Sequence, residues 1–213
     1  MIKVEKVAVW GFEHAIRGMR NPMNSWDKSD TLLCGNVDNP DLILGKNDLT
    51  LMQKLYKAGA EHRTYARMIQ VSMDITAPLY WWKEMDRYTV GKSQVSCSTM
   101  HKIAAKEFDH EDFSCEHLLG GSFDVLDTII SALNEYRILY QKADDNSKKM
   151  WWWQIIQLLP SSYNQKRTIC MSYETVFKII KERTGHKLTE WEDFVALLHG
   201  LPHVEEIIDG SET

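Results

Sequence analysis

The chain has 213 residues, 44% hydrophobic and 26% charged, proportions that support a folded core and exclude disordered and collagen-like classes. Its net charge of -5 gives no general attraction to a nucleic acid polymer, while a mononucleotide needs only a few local donors. No stretch approaches the ~20 apolar residues that cross a bilayer, and "MIKVEKVAVW" lacks the apolar core and cleavage site of a signal peptide, so a cytoplasmic protein without membrane contact is expected.

"IKVEKVAVWGF" alternates apolar and polar residues and predicts a strand. "EHAIRGMRNPMNSWDKSD" begins as a short helix and breaks at Pro22 into a polar loop. Residues 31–47, with Gly35, Asn39, Pro40 and Gly45, read as strand fragments and turns. Leu49, Met52, Leu55 and Tyr56 then share one face of a helix that Asp48 caps and that ends near Gly59. In "RMIQVSMDI" Ile69, Val71, Met73 and Ile75 alternate with Met68, Gln70, Ser72 and Asp74, the pattern of a strand, with a continuing helix as the alternative. After Pro78, "LYWWKEMDRY" fits a helix start or a strand. Residues 122–143 carry Phe123, Leu126, Ile129, Ile130, Leu133 and Ile138 at helical spacing and predict an amphipathic helix. "ADDNSKK" is a turn, and "WWWQIIQLLP" reads as a buried helix that stops at Pro160. "SYETVFKIIKERTG" is a helix capped by Ser172 and closed by Gly185, and Thr189 with Glu192 in the capping-box position starts another. The tail "DGSET" is expected to fray. No repeat or linker divides the chain. The class is α+β, a helix-dominated single domain over 1–213 with a small mixed or antiparallel sheet.

Cys34, Cys97, Cys115 and Cys170 are widely spaced without a CxxC pair, as expected of reduced thiols. Cys97, His101, His110, Cys115 and His117 match no common zinc spacing, so no metal is expected.

Four stretches carry candidate chemistry. "RGMRNPMNS" puts Arg17 and Arg20 on one turn of helix, forked donors that suit a phosphate, or else plain basic charges at a helix C-terminus. "EHRTYAR" groups Glu61 and His62 with Arg63 and Arg67, able to do acid–base work or to pair on a surface. "ITAPLYWWKEMDRYTVGKSQVS" places tandem Trp81 and Trp82 ahead of Arg87, Tyr88, Ser93, Gln94 and Ser96; the indoles offer faces for a heterocycle or fill the core. "LPSSYNQKRT" reads as a polar loop whose Asn164, Lys166 and Arg167 suit an anion or ordinary solvent. No GxGxxG, P-loop, HExxH, GxSxG or deaminase pattern is present.

The order of the pieces adds a resemblance. An "EH" pair, a strand running into "APLYWWKEMDR", a Ser- and Gln-containing segment, "LLP", a helix ending in "ER" and then "EWE" resemble the flavin-dependent thymidylate synthases over residues 60–198. The resemblance implies an α+β fold, a homotetramer, and FAD and dUMP sites between subunits. Arg87 falls on the first arginine of that family's signature, Tyr88 and Thr89 replace its His and second Arg, Gln94 falls on its Asn, and Ser96 and Cys97 lie near its later Ser. It implies catalytic roles for His62, Arg87 and Tyr88, flavin contacts for Arg87, Ser93, Gln94 and Glu61, and nucleotide contacts for Ser96, Arg17, Arg20, Asn164 and Arg167. Phe194 stands where the family's substrate-activating arginine would be. A phenyl ring cannot donate to an oxyanion, and one lost donor of that kind costs ~10²–10³ in rate, which counts against thymidylate synthesis in its usual form. The expected function is therefore action on, or binding of, a dUMP-type pyrimidine nucleotide, with FAD as cofactor; a non-catalytic nucleotide-binding module on the same scaffold is the alternative, and a purely structural protein a third.

Overall fold

A computed structural model describes residues 2–36 and 39–210. In chain order it contains β1 (Lys3–Trp10), α1 (Phe12–Arg20), β2 (Leu32–Asn36), β3 (Asn39–Ile43), α2 (Lys46–Lys57), β4 (Gln70–Pro78), α3 (Leu79–Met85), β5 (Lys92–Ser96), α4 (Gly120–Lys142), α5 (Asp145–Leu158), β6 (Asn164–Ser172), α6 (Tyr173–Arg183), α7 (Thr189–His199) and α8 (Val204–Asp209). No helix among the described residues is long and apolar enough to cross a membrane.

Four strands form one sheet in the order β1-β4-β6-β5, and β2 pairs antiparallel with β3. Three bonds show that β6 runs backward along β4: Ser72 Oγ donates to the Ile169 carbonyl at 3.0 Å, Thr168 Oγ1 to Asp74 at 2.6 Å, and the Leu79 N–H to the Tyr163 carbonyl at 3.0 Å. β5 is antiparallel to β6 in turn, since the Ser172 N–H meets the Gly91 carbonyl and the Cys97 N–H meets that of Lys166. The period-2 pattern of β4 holds, with Val71, Met73, Ile75 and Ala77 buried and their neighbours half-buried.

The chain's contacts gather into two compact units. One comprises 1–5, 74–87 and 94–168; the other 6–73, 88–93 and 169–213. In the first, the α4–α5 hairpin closes over Leu126, Ile130, Leu133 and Ile155, with Ile103, Phe108 and Phe113 from the preceding loop. In the second, α1, α2, α6, α7 and α8 bury Met19, Met52, Val176, Phe177, Trp191, Leu198 and Ile207. Ser172 caps α6 by accepting from the Thr175 N–H, as its position ahead of "YETVF" predicts.

Several expectations are corrected. Asp48 is not a cap: Gly45 holds that position, and Asp48 sits inside α2, fully buried. The α7 N-cap is Leu188, so Thr189 is the first helical residue and not the cap. α5 is not a buried helix, because only Ile155 is buried along it and Trp153 is 42% exposed. The "polar loop" from Asn164 is strand β6. Asp209 ends α8 in an ordered turn, and residues 211–213 of the tail lie outside the described residues. Cys97, Cys115 and Cys170 are free thiols, and the Cys34 side chain lies outside the described residues. Among the described residues no group of His, Cys, Asp and Glu is placed to hold a metal.

Candidate functional site

The aromatic block of α3 is core. Trp81 and Trp82 are both 0% exposed and pack edge to face at 4.9 Å. Helix α3 follows Pro78 directly, because the fixed proline φ ends β4 and the next residues turn helical. Trp82 Nε1 donates to the Gln165 carbonyl at 2.9 Å, which ties α3 to β6. Its other face is covered by the Arg167 guanidinium, 4.3 Å from the ring centroid.

That arginine organises the first unit's rim. Arg167 Nη1 donates to Asp86 Oδ1 at 2.8 Å and its Nε to Gln165 Oε1 at 2.9 Å. Gln94 Nε2 donates to the same Asp86 oxygen at 2.8 Å, and Gln165 Nε2 closes the network on the Cys97 carbonyl at 2.8 Å. The Arg87 backbone is fixed by its N–H on the Glu84 carbonyl. Its guanidinium is exposed and has no hydrogen-bond or ion-pair acceptor among the described residues. The result is a satisfied Asp86–Arg167–Gln94 platform with one cation left for an outside anion. Ser96 is exposed on β5 of the same unit. Asn164 is engaged elsewhere, its Oδ1 accepting from Ser114 Oγ at 2.9 Å.

The second unit holds the remaining predicted residues in four places. Tyr88 is buried: its hydroxyl donates to Glu182 Oε2 at 3.0 Å and accepts from Arg183 Nε at 2.9 Å, and Arg183 stacks on Trp191 at 4.4 Å. Burial pushes the Tyr88 phenol up. Glu61 and His62 are exposed in the turn after α2, where the His62 N–H bonds the Gly59 carbonyl. Their neighbour Arg63 is bidentate to Glu174 at 2.7 and 3.2 Å and lies over Tyr56. Ser93 is exposed on β5. Arg17 and Arg20 line a cavity of about 190 Å³ beside α1. Phe194 is 0% exposed against Trp191.

Asp86 and Gln165 organise the platform yet were not singled out from the sequence. Neither has a local signal, since Gln165 becomes meaningful only once β6 is a strand and its side chain is seen to be buried.

Solved structures match along the whole chain. A crystal structure of thymidylate synthase X (ThyX) from Helicobacter pylori with FAD and dUMP aligns with a TM-score of 0.71 at 16% identity, covering 100% of this chain and 100% of that one. A second, of the flavin-dependent thymidylate synthase ThyX from Helicobacter pylori complexed with FAD and dUMP, gives 0.68 at 16% identity over 97% and 98%. This chain has the ThyX fold. No family model matches the sequence, and no curated protein matches it either. The ThyX fold thus extends over the full length, beyond the 60–198 stretch that carries the motif order. Arg87 is exposed, whereas Tyr88 beside it is turned inward.

Proposed function

We propose that the chain is a nucleotide-binding protein on the ThyX fold, taking a dUMP-type pyrimidine nucleotide at the Arg87 turn. The observation that carries this reading is the exposed Arg87 guanidinium, without an acceptor among the described residues, next to the Asp86–Arg167–Gln94 platform. A phosphate oxygen is the partner such a fork suits. Ser96 supplies a hydroxyl on the same unit.

The two Helicobacter pylori structures are described with FAD and dUMP, and this supports a flavin as companion ligand here. The donor set fits a flavin's phosphate only in part: Arg87 would hold one phosphate, the nucleotide's or the flavin's, while Gln94 Nε2 is already given to Asp86 and Tyr88 and Thr89 add no cation. When bound, a flavin supplies redox chemistry. The chain's own residues favour binding over synthesis. Phe194 is core and donates nothing, and the Tyr88 phenol is occupied by Glu182 and Arg183. Assembly as a homotetramer in the cytoplasm follows the same reading.

The test is a melting curve with and without dUMP, alongside a visible spectrum for bound flavin. At ligand ~100 times Kd the linkage stabilisation is ~2.7 kcal/mol, so the wild type is expected to melt several degrees higher with dUMP. Arg87→Ala should lose most of that shift. No shift in the wild type, or an equal shift in Arg87→Ala, overturns the reading; yellow protein whose bands respond to dUMP would favour FAD-dependent catalysis over binding alone.

A further inference from the structure

Lys148 and Lys149 stand near the start of α5, within the first unit. Among the described residues neither has an ion-pair partner: the Lys148 ammonium lies over the Tyr140 ring, 5.3 Å from its centroid, and Lys149 is exposed. The nearby carboxylates do not answer them. Asp145 sits at i,i+3 and i,i+4 spacing from the two lysines without pairing with either, and Asp144 spends its carboxylate on the Ser147 N–H as the α5 cap. The loop opposite is held in place, since Trp152 Nε1 donates to the Met100 carbonyl at 2.9 Å and the His101 N–H to Ser98 Oγ at 3.0 Å. The His101 side chain is exposed and has no partner among the described residues. His101, Tyr140, Asp145, Lys148, Lys149 and Trp152 together line a cavity of about 370 Å³.

We propose that this cavity binds an aryl phosphate, a dianionic phosphate monoester carried on a flat ring. Three features select that class. Two ammoniums and an imidazole are set against the single carboxylate of Asp145, so positive charge predominates in the lining although the chain as a whole carries -5. The cations are lysines, compact point charges that suit a tetrahedral phosphate, and no guanidinium fork is present to favour a planar carboxylate. The volume falls within the ~300–1,000 Å³ of small-molecule sites and exceeds what a bare phosphate fills, and Tyr140, Trp152 and the Met100 thioether supply apolar wall for a ring. None of these residues takes part in the Arg87 site, so the two stand or fall separately.

Titration calorimetry with phenyl phosphate, benzoate, phenol and inorganic phosphate tests the assignment. One phenyl phosphate per chain is expected, bound more weakly as salt is raised. Benzoate keeps the ring with one charge fewer, phenol keeps the ring alone and inorganic phosphate the charge alone; each should be at least about tenfold weaker. Lys149→Ala, at an exposed position, should weaken phenyl phosphate several-fold in a protein that melts as the wild type does, and Lys148→Gln combined with Lys149→Gln should weaken it at least about tenfold. Arg87→Ala should bind it as the wild type does. No binding of phenyl phosphate at millimolar concentration, equal affinity for any of the other three compounds, an affinity unchanged in the lysine variants, or a loss in Arg87→Ala would overturn the proposal.

Discussion

Asp48 shows how one side chain can hold a region together without any sequence signature. It is 0% exposed, neutralises Arg20, and gathers Ser29, Asp30 and Thr31 onto α2. Burial alone would push its carboxyl up, but hydrogen bonds from Thr31, Ser29 and Arg20 outweigh that and hold it below the ordinary aspartate value. A carboxylate depressed in the folded state contributes stability that is complete above the unfolded pKa of ~3.9 and is lost as pH falls through the lower folded value. Asp48→Ala leaves Arg20 buried without its counter-ion and should cost ~3–5 kcal/mol in denaturant melts. Asp48→Asn should also flatten the acid limb of the stability–pH curve below about pH 4. The sequence offered Asp48 only as a cap, because a helix-start carboxylate looks the same whether it faces its own N–H groups or a guanidinium 28 residues away.

At the scale of elements, legibility followed where the partners lay. β4 and α4 were readable, since each shows its apolar period within its own residues. β6 was not, because its first half is polar: Lys166 reaches Glu5 and Asp74, Arg167 reaches Asp86, and Thr168 reaches Asp74. A strand whose charges are answered by neighbouring strands reads as a loop until those neighbours are known. α5 failed in the opposite direction, its Trp run suggesting burial although the helix packs mainly on α4 and keeps one face outward. Gly91 offers a test at this level. It has φ +69, and an added Cβ would sit 2.7 Å from Ser172 Oγ, the group that caps α6. Gly91→Ala should therefore strain the turn and disturb the cap, at a cost of ~1–3 kcal/mol readable as a lower melting temperature, whereas Ser172→Ala alone should cost ~1 kcal/mol.

For the whole molecule, the motif order in 60–198 was enough to point to the fold, and the structural match then covers 100% of the chain at 16% identity. The first part of the chain was readable as elements, since β1 and α1 stand where a strand and a short helix were expected, but it carried no family motif. The candidate site was half legible: Arg87, Gln94 and Arg167 were named, but the link between the last two runs through Asp86, and Tyr88 proved to be inward. The distribution of indoles has an optical consequence. Trp81, Trp82 and Trp191 are sealed, with Arg167 above Trp82 and Arg183 above Trp191, while Trp10, Trp26 and Trp153 are 42% to 48% exposed. Emission should therefore be a composite of a blue, shielded component and a red, wet one, and iodide should extinguish only the second. A Stern–Volmer plot that curves downward would report that division, and a straight one would mean that the α3 and α7 indoles are open to solvent in solution.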